Sequence, residues 1–374
     1  MKFLHTSDLH LGRQLGEIPL LDDQKIILNQ IVHIAASERV DALLIAGDVY
    51  QKASPQAEAM AAFDDFVTRL TALGVKLFII SGNHDSAQRI SYFSALLRRA
   101  GVHMSEAFDG SLQCVSMRDE YGEVNIYLLP FIRPSWVRRF FPDEKLANYQ
   151  NAVQAVLRRS ELDRTKRNVL LCHQFITGAE QSDSEEKSVG GLDNIDAAVF
   201  DDFDYVALGH IHKPQRVMRD SLRYAGSIMK YSFSEVNHRK SVTIVEMGEK
   251  GKIALHAVPL HALHDVRKVE GMFDEVMCME RSEDYVWITL HDELPPVDAR
   301  RRLLTVFPNQ IKYSIENSKT KADIDVLARE EMENKSTVEL FSDFYSLQNN
   351  DVAPDARQIK MLERILKEME EEAK

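Results

Sequence analysis

Two pairs of side chains with strong ligating power stand two residues apart, Asp8 with His10 in SDLH and His210 with His212 in GHIH. Between them come Asp48 in GDVY, Asn83 in GNHD and His173 in LCHQF. This set of seven offers oxygen and imidazole nitrogen but no thiolate. Such donors suit Mn²⁺, Fe²⁺ or Zn²⁺ better than a thiolate-bound structural zinc, and they are too rich in His for a Mg²⁺ or Ca²⁺ cage. Seven ligands exceed one tetrahedral site and suffice for two cations that share a carboxylate. Asp48, which follows a central strand pattern, is the natural bridge. Two divalent cations about 3.5–4 Å apart suit in-line displacement at phosphorus: they make hydroxide available near neutral pH and neutralise charge on the phosphoryl oxygens. His84 sits beside Asn83 and would be crowded as a ligand. Its expected task is to give a proton or hydrogen bond to the leaving oxygen, with Asp85 orienting its ring.

These residues need elements to hold them. FLHTS precedes Asp8, ALLIAG precedes Asp48, LFIISG precedes Asn83, NVLLC precedes His173 and YVALG precedes His210. Short apolar runs cut off by Gly or Ser read as buried strands. The ligands then close five strands at their carboxyl ends, where open α/β sheets place their sites, and an i, i+2 pair leaving a strand can point to one side. Helical patterns fall near 20–38, 55–73, 87–100 and 145–161, with Ser54-Pro55 a good start for the second. Strand patterns at 204–208, 222–225, 241–246 and 252–258 look hairpin-like. Residues 1–260 are therefore expected to form an α/β domain, a two-sheet β-sandwich flanked by helices. The stretch 181–194 reads as a polar, mobile loop. Strand and helix patterns alternate again over 261–317, a small α/β module. Residues 318–336 are charged and linker-like. Helical stretches at 336–347 and 354–372 close the chain, one placing Phe341, Phe344 and Tyr345 on one side, the other Ile359, Leu362, Leu366 and Met369.

The chain has 374 residues, room for a large α/β domain and a smaller one. Cys114, Cys172 and Cys278 form no C-x-x-C pair, which suggests a reducing setting. The start MKFLHTSD has no signal pattern and no apolar run approaches membrane-spanning length, so a soluble, cytoplasmic protein without membrane contact is expected. The net charge of −12 argues against a nucleic-acid partner until it is divided along the chain. Residues 1–100 carry 10 basic and 11 acidic side chains, 101–260 carry 20 and 22, and 261–374 carry 16 and 25. The acidity belongs to the last third, and two divalent cations would add positive charge to a nearly neutral first part.

The ordered motifs D-x-H, G-D-x-x, G-N-H-D, H and G-H-x-H resemble those of the calcineurin-like metallophosphoesterase superfamily. Within it, HTSDLHLG, AGDVY, SGNHDS, DYVALGHIHKPQ, RYAGSIMKYSFSE and VELFSDFYSL resemble the SbcD family, the nuclease subunits of SbcC–SbcD complexes. The resemblance covers nearly the whole chain and is weakest over about 260–330. It implies that Asp8, His10 and His212 hold one cation, that Asn83, His173 and His210 hold the other, that Asp48 bridges them and that His84 is catalytic. It implies a Mn²⁺-dependent DNA nuclease, a double-strand exonuclease and single-strand or hairpin endonuclease in DNA end processing, repair and recombination. It further implies a capping domain over 261–317, and a C-terminal helical tail, 337–374, that grips an SbcC-type ATPase. A homodimer within a heterotetramer would form through 55–73 and 87–100, where Phe93, Leu96 and Leu97 are candidates. Two departures are visible: Leu9 replaces an aromatic residue, and Ile228 a proline. Neither is a ligand.

Two other functions compete. A phosphodiesterase for a small molecule would share the metal core but needs neither cap nor tail. A scaffold on the same fold would have lost ligands, and here all are present. The cluster Arg133, Trp136, Arg138, Arg139, Phe140 and Phe141 suits either DNA contact or a loop packed on its own aromatics. Arg158, Arg159, Lys166 and Arg167 read as a solvated face, Cys172 as a small buried apolar group, and His5 and His103 as structural.

Overall fold

A computed structural model describes residues 1–185 and 194–318, together with 338, 341, 342, 345, 346, 353–362 and 364. The strands that build the main body are β1 (Lys2–Thr6), β2 (Ala42–Ala46), β3 (Lys76–Ile80), β4 (Val102–Met104), β5 (Gln113–Asp119), β6 (Gly122–Leu129), β7 (Arg167–His173), β8 (Tyr205–Gly209), β9 (Gln215–Val217), β10 (Arg219–Tyr224), β11 (Ser241–Met247) and β12 (Ile253–Pro259). One sheet has the order β12-β11-β1-β2-β3-β4 and the other β9-β10-β8-β7-β6-β5. In the first, β1 to β4 run parallel; in the second, β6, β7, β8 and β10 do. Parallel strands deliver their carboxyl ends to one rim.

Successive side chains alternate across each strand, and the apolar runs use both faces. Ala42 and Leu44 of β2 lie between the sheets with Phe78, Ile80, Val169, Leu171 and Ala207. Leu43 and Ile45 face the other way, toward Ile27 and Ile31 of α1 (Leu21–Ser37) and Phe66 of α2 (Ala57–Ala72). On the far side Leu170, Cys172, Val206 and Leu208 meet Val153 and Val156 of α3 (Tyr149–Arg159). The result is four layers: helices, sheet, sheet, helix. Both sheet faces are dry, so the runs read as continuous rather than alternating. Truncating Leu44 or Leu171 to Ala would cost about 2–5 kcal/mol, because neither close-packed layer can collapse around the gap.

Three of the four expected helices are present. The fourth, 87–100, is broken into Ala87–Ile90, Ser94–Leu97 and a 3₁₀ turn at Arg98–Ala100. Phe93 has φ 62°, a left-handed conformation that ends an α-helix. The 204–208 and 222–225 patterns do not make a hairpin: β8 and β10 pair in parallel, and the tight hairpin is β9–β10. Its polar sequence gave no alternation to read. The 241–259 hairpin is present as β11–β12.

A three-stranded sheet follows, β13 (Val266–Gly271), β14 (Tyr285–Leu290) and β15 (Gln310–Ile315), with short helices at Phe273–Met277 and Ala299–Leu303. By compactness, one unit takes residues 1–268, 281–287 and 307–312, and a second takes 269–280, 288–306 and 313–374. The linker-like 319–336 lies outside the described residues, as do Phe344, Leu366 and Met369. The described tail residues are helical at 338, 341, 342, 345, 346 and 356–362. Asp355 starts the last helix: its carboxylate accepts from Arg357 N and Gln358 N at 2.8 and 2.9 Å, and Gln358 Oε1 accepts from Asp355 N at 2.8 Å, a reciprocal cap.

Candidate metal centre

The rim at the carboxyl ends brings all seven expected ligands together from both sheets. Asp8 follows β1, Asp48 follows β2 and Asn83 follows β3; His173 ends β7, and His210 follows β8. The chain must turn sharply there to aim short side chains inward. Asp8, His10, Asp48 and His210 all take positive φ, at 51°, 45°, 51° and 101°. For non-glycine residues this costs energy and clusters at functional sites. Gly82 is needed for close approach, since a Cβ there would collide with the Asp48 carboxylate. Gly47 has φ 90°, and a Cβ there would strike the His173 ring.

His10 Nε2 and His212 Nε2 point at each other across 3.1 Å. Asn83 Oδ1 lies 3.1 Å from both His173 Nε2 and His210 Nδ1. Asp48 Oδ2 stands between the groups, 3.6 Å from His10 Nε2 and 3.3 Å from His173 Nε2. Asp8, His10 and His212 could hold a cation, as could Asp8, Asp48 and His173, or His10, Asp48 and His84. Among the described residues no Lys or Arg nitrogen pairs with Asp8 or Asp48. Buried carboxylates without cationic partners are costly, and lone pairs aimed at one point are what a cation needs. His10 Nδ1, buried and without a hydrogen-bond partner, leaves that ring held mainly by what its other nitrogen binds. The donor set therefore fits two divalent ions.

The two carboxyls are pushed apart electrostatically. Burial pushes Asp8 up. Burial opposes ionisation of Asp48 too, but His173, His10 and His84 outweigh it and hold the carboxyl well below the usual carboxylate range. Burial likewise works against a charged His173, yet Asp48 raises its imidazole to about 9. His210 falls to about 3 through burial and the neighbouring His173.

Backbone and second-layer contacts fix the rings. Ala46 O accepts from His173 Nδ1 at 2.7 Å, which turns Nε2 to the site. His84 N donates to Asp48 Oδ1 at 2.9 Å, and the His84 ring stands edge-on to His10 with centroids 4.8 Å apart. Asp85 has a different task from the one expected: its oxygens accept from the amides of Val49, Tyr50 and Gly82, each at 3.0 Å. The His84 ring is held instead through Nδ1 by Gln51 O at 3.1 Å. Asp85 thus staples the Asp48 loop to the Asn83 loop, and burial raises its carboxyl to about 6.

Several supporting residues carry no motif. Glu235, fully buried, lies 3.3 Å from His212 Nδ1, and its charge is met by buried Lys240 at 2.5 Å. Ser184 Oγ also contacts His212 Nδ1, at 2.8 Å, and Glu185 accepts from His212 N at 2.7 Å. Ser182 and Glu185 are buried, so 182–185 is packed against the site, contrary to the mobile loop expected; 186–193 lies outside the described residues. Gln24 on α1 donates to Leu9 O and His10 O at 3.1 and 2.8 Å, bracing the first ligand turn. Leu9 and Ile228, the two departures, are both buried.

Residues 1–214 match the calcineurin-like phosphoesterase family, and residues 262–349 match a family described as the type 5 capsule protein repressor C-terminal domain. The chain is 31% identical over 322 residues to the SbcD subunit of the SbcCD nuclease of Staphylococcus epidermidis, covering 84% of this chain and 85% of that one. Among solved structures, a dimetal phosphatase from Danio rerio matches 70% of this chain and 96% of its own at 12% identity, with a TM-score of 0.43.

Proposed function

Because this chain belongs to the calcineurin-like phosphoesterase family, and within it to the SbcD nuclease subunits, we infer that it hydrolyses phosphodiester bonds in DNA as the metal-dependent nuclease of an SbcCD complex. The observation that carries this reading is the convergence of seven ligand side chains, from two sheets, on one rim. Asp8, His10 and His212 would hold one cation and Asn83, His173 and His210 the other, with Asp48 shared between them. Mn²⁺ suits this nitrogen and oxygen set without thiolate. When bound, the ions supply a hydroxide near neutral pH and offset charge building on phosphorus. The chain does the rest. His84, anchored by Gln51 O through Nδ1, presents Nε2 as the proton donor to the leaving oxygen. Asp85 positions the His84 and Asp48 loops together.

The module 261–317 acts as a cap that limits which DNA shapes enter, and 337–374 binds the SbcC-type ATPase. Two copies pair through the surface that carries Tyr92, Phe93 and Leu96, exposed at 68%, 62% and 61%. No helix of the described residues is long and apolar enough to cross a membrane. Work on DNA makes the cytoplasm the natural setting of this reading.

The test compares a hairpin-ended duplex, a cyclic dinucleotide and bis(p-nitrophenyl) phosphate as substrates with Mn²⁺, for the wild type and His84→Ala. DNA cleavage lost in the variant, with both ions still bound, supports the reading. Cleavage of the small diesters alone, persisting with SbcC present, would replace it with a small-molecule phosphodiesterase.

A further inference from the structure

The cluster at 131–141 divides in two. Phe141 is buried with Arg159 stacked 3.9 Å above its ring, Phe140 stands edge-on to Phe108, and Arg138 Nε donates to Leu146 O at 3.2 Å. Phe140 and Arg138 nevertheless stay exposed, so what sets Arg133 and Trp136 apart is their place beside Phe131. The Arg133 guanidinium lies 5.7 Å from the Phe131 ring and 5.6 Å from the Trp136 ring, is exposed, and pairs with no carboxylate among the described residues. Of the other basic groups of this region, Arg158 and Arg159 share Glu144, Lys166 pairs with Glu123 and Arg167 with Asp119, while Arg138 and Arg139 are exposed like Arg133.

The aromatic rings lead to the metal centre. Phe131 stands edge-on to the ligand His173 with centroids 6.3 Å apart, and Trp136, 43% exposed, stands edge-on to Phe131 at 6.2 Å. The segment is fixed to the ligand strands on both sides. Phe131 N donates to Ser81 O at 2.9 Å, two residues before Asn83, and Ile132 O accepts from Gln174 Nε2 at 3.0 Å, one residue after His173. A cation and an indole are thus held in a fixed position beside His173 and the loop that carries Asn83. Aromatic faces accept any base by stacking, and a guanidinium suits a phosphate.

We propose that Trp136 and Arg133 form a platform that takes one unpaired nucleotide of the substrate strand beside the metal centre, the base stacking on Trp136 and its phosphate held by Arg133. Duplex DNA, whose bases are stacked on each other, must fray or bend open to use it. The proposal rests on the nuclease reading above and names the form of nucleic acid that the site takes.

The full chain with Mn²⁺ would be given a single-stranded oligonucleotide, the same oligonucleotide with one abasic residue moved along it, and bis(p-nitrophenyl) phosphate. Wild type should show one position, at a fixed distance from the cut, where the abasic residue raises KM about tenfold or more. Trp136→Ala should lose that discrimination and Trp136→Phe should keep most of it. Arg133→Ala should raise KM for the oligonucleotide well beyond any change for the small diester, with Arg133→Lys partly restoring it. Phe140→Ala serves as the control and should match wild type. A wild type indifferent to abasic residues, or variants that lose both substrates in equal proportion, overturns the platform; the abasic scan and Trp136→Phe decide the matter even if Trp136→Ala fails to fold. A wild type that cleaves the small diester and no oligonucleotide, with SbcC present as well as without it, removes the nuclease reading and this proposal with it.

Discussion

The two ends of the sandwich treat buried charge in opposite ways. At the amino-terminal end of β7, Arg167 is nearly fully buried and grips Asp119 with both guanidinium nitrogens, while also donating to Gly122 O and Gly248 O at 2.9 and 2.8 Å. The Met1 ammonium completes the pair at 2.8 Å, and Arg167 holds the Asp119 carboxyl well below the usual range. Charge at that end is met by the chain's own cations. At the other end of the same strand, His173 joins two carboxylates and three more imidazoles with no Lys or Arg among them. One end is finished by folding; the other is finished by something from solution. That difference, more than any motif, marks where function lies.

Changes at each end should therefore fail differently. Asp48→Ala should lose or disorder both ions and slow phosphodiester hydrolysis by about 10³-fold or more. Metal content and turnover would check it, and an Asp48→Ala chain that still holds two ordered ions would break the bridge assignment. Arg167→Ala should leave metal content unaltered but destabilise the fold by about 3 kcal/mol, because Asp119 then stays behind without its main partner; a denaturant titration reads this, and a parallel loss of metal would show the two ends to be coupled. Glu235→Gln should weaken ion binding by about 10- to 100-fold through His212, and it should also lower the melting curve of the metal-free chain, because buried Lys240 loses its carboxylate partner. Within one pH unit, the smallest effect is in pH. His173 is raised to about 9 in the metal-free chain, so its charge stabilises that form fully below the ordinary imidazole pKa, and this stabilisation is lost as pH rises through about 9. Ion binding must displace that proton, so affinity should climb about tenfold per pH unit up to about pH 9. Calorimetry in buffers of different ionisation enthalpy would count the proton, and a flat profile would refute the role of His173.

The convergence of the seven expected side chains on one rim was legible because most of them close a buried apolar run, so local pattern and global position coincide. The two-sheet core was readable for the same reason. Glu235, Lys240, Ser184 and Gln24 were not, since each reaches the site through chain reversals that no short spacing records. Asp85 misled because it is adjacent to His84 in sequence, whereas the amides it binds, at Val49 and Tyr50, are adjacent only in the fold. Phe93 misled because periodicity sees side-chain spacing and is blind to one left-handed residue. The β9–β10 hairpin was hidden by its polar sequence, Gln215–Val217 and Arg219–Tyr224, which packs only Val217, Leu222 and Tyr224 inward.

The origin of the ligands in two separate sheets has a thermodynamic consequence. Asp8 and His10 come from one sheet and His212 from the other; Asn83 comes from one, His173 and His210 from the other. If these residues hold ions as proposed, any opening of the sandwich along this rim divides both ligand sets, and bound ions and folded chain would rise and fall together. At free metal 100 times the dissociation constant, the linkage is worth about 2.7 kcal/mol per ion. Starving the protein of metal would thus do more than silence it: the pool of folded chain open to proteolysis would shift with the supply of ions, which makes abundance itself a readout of metal status.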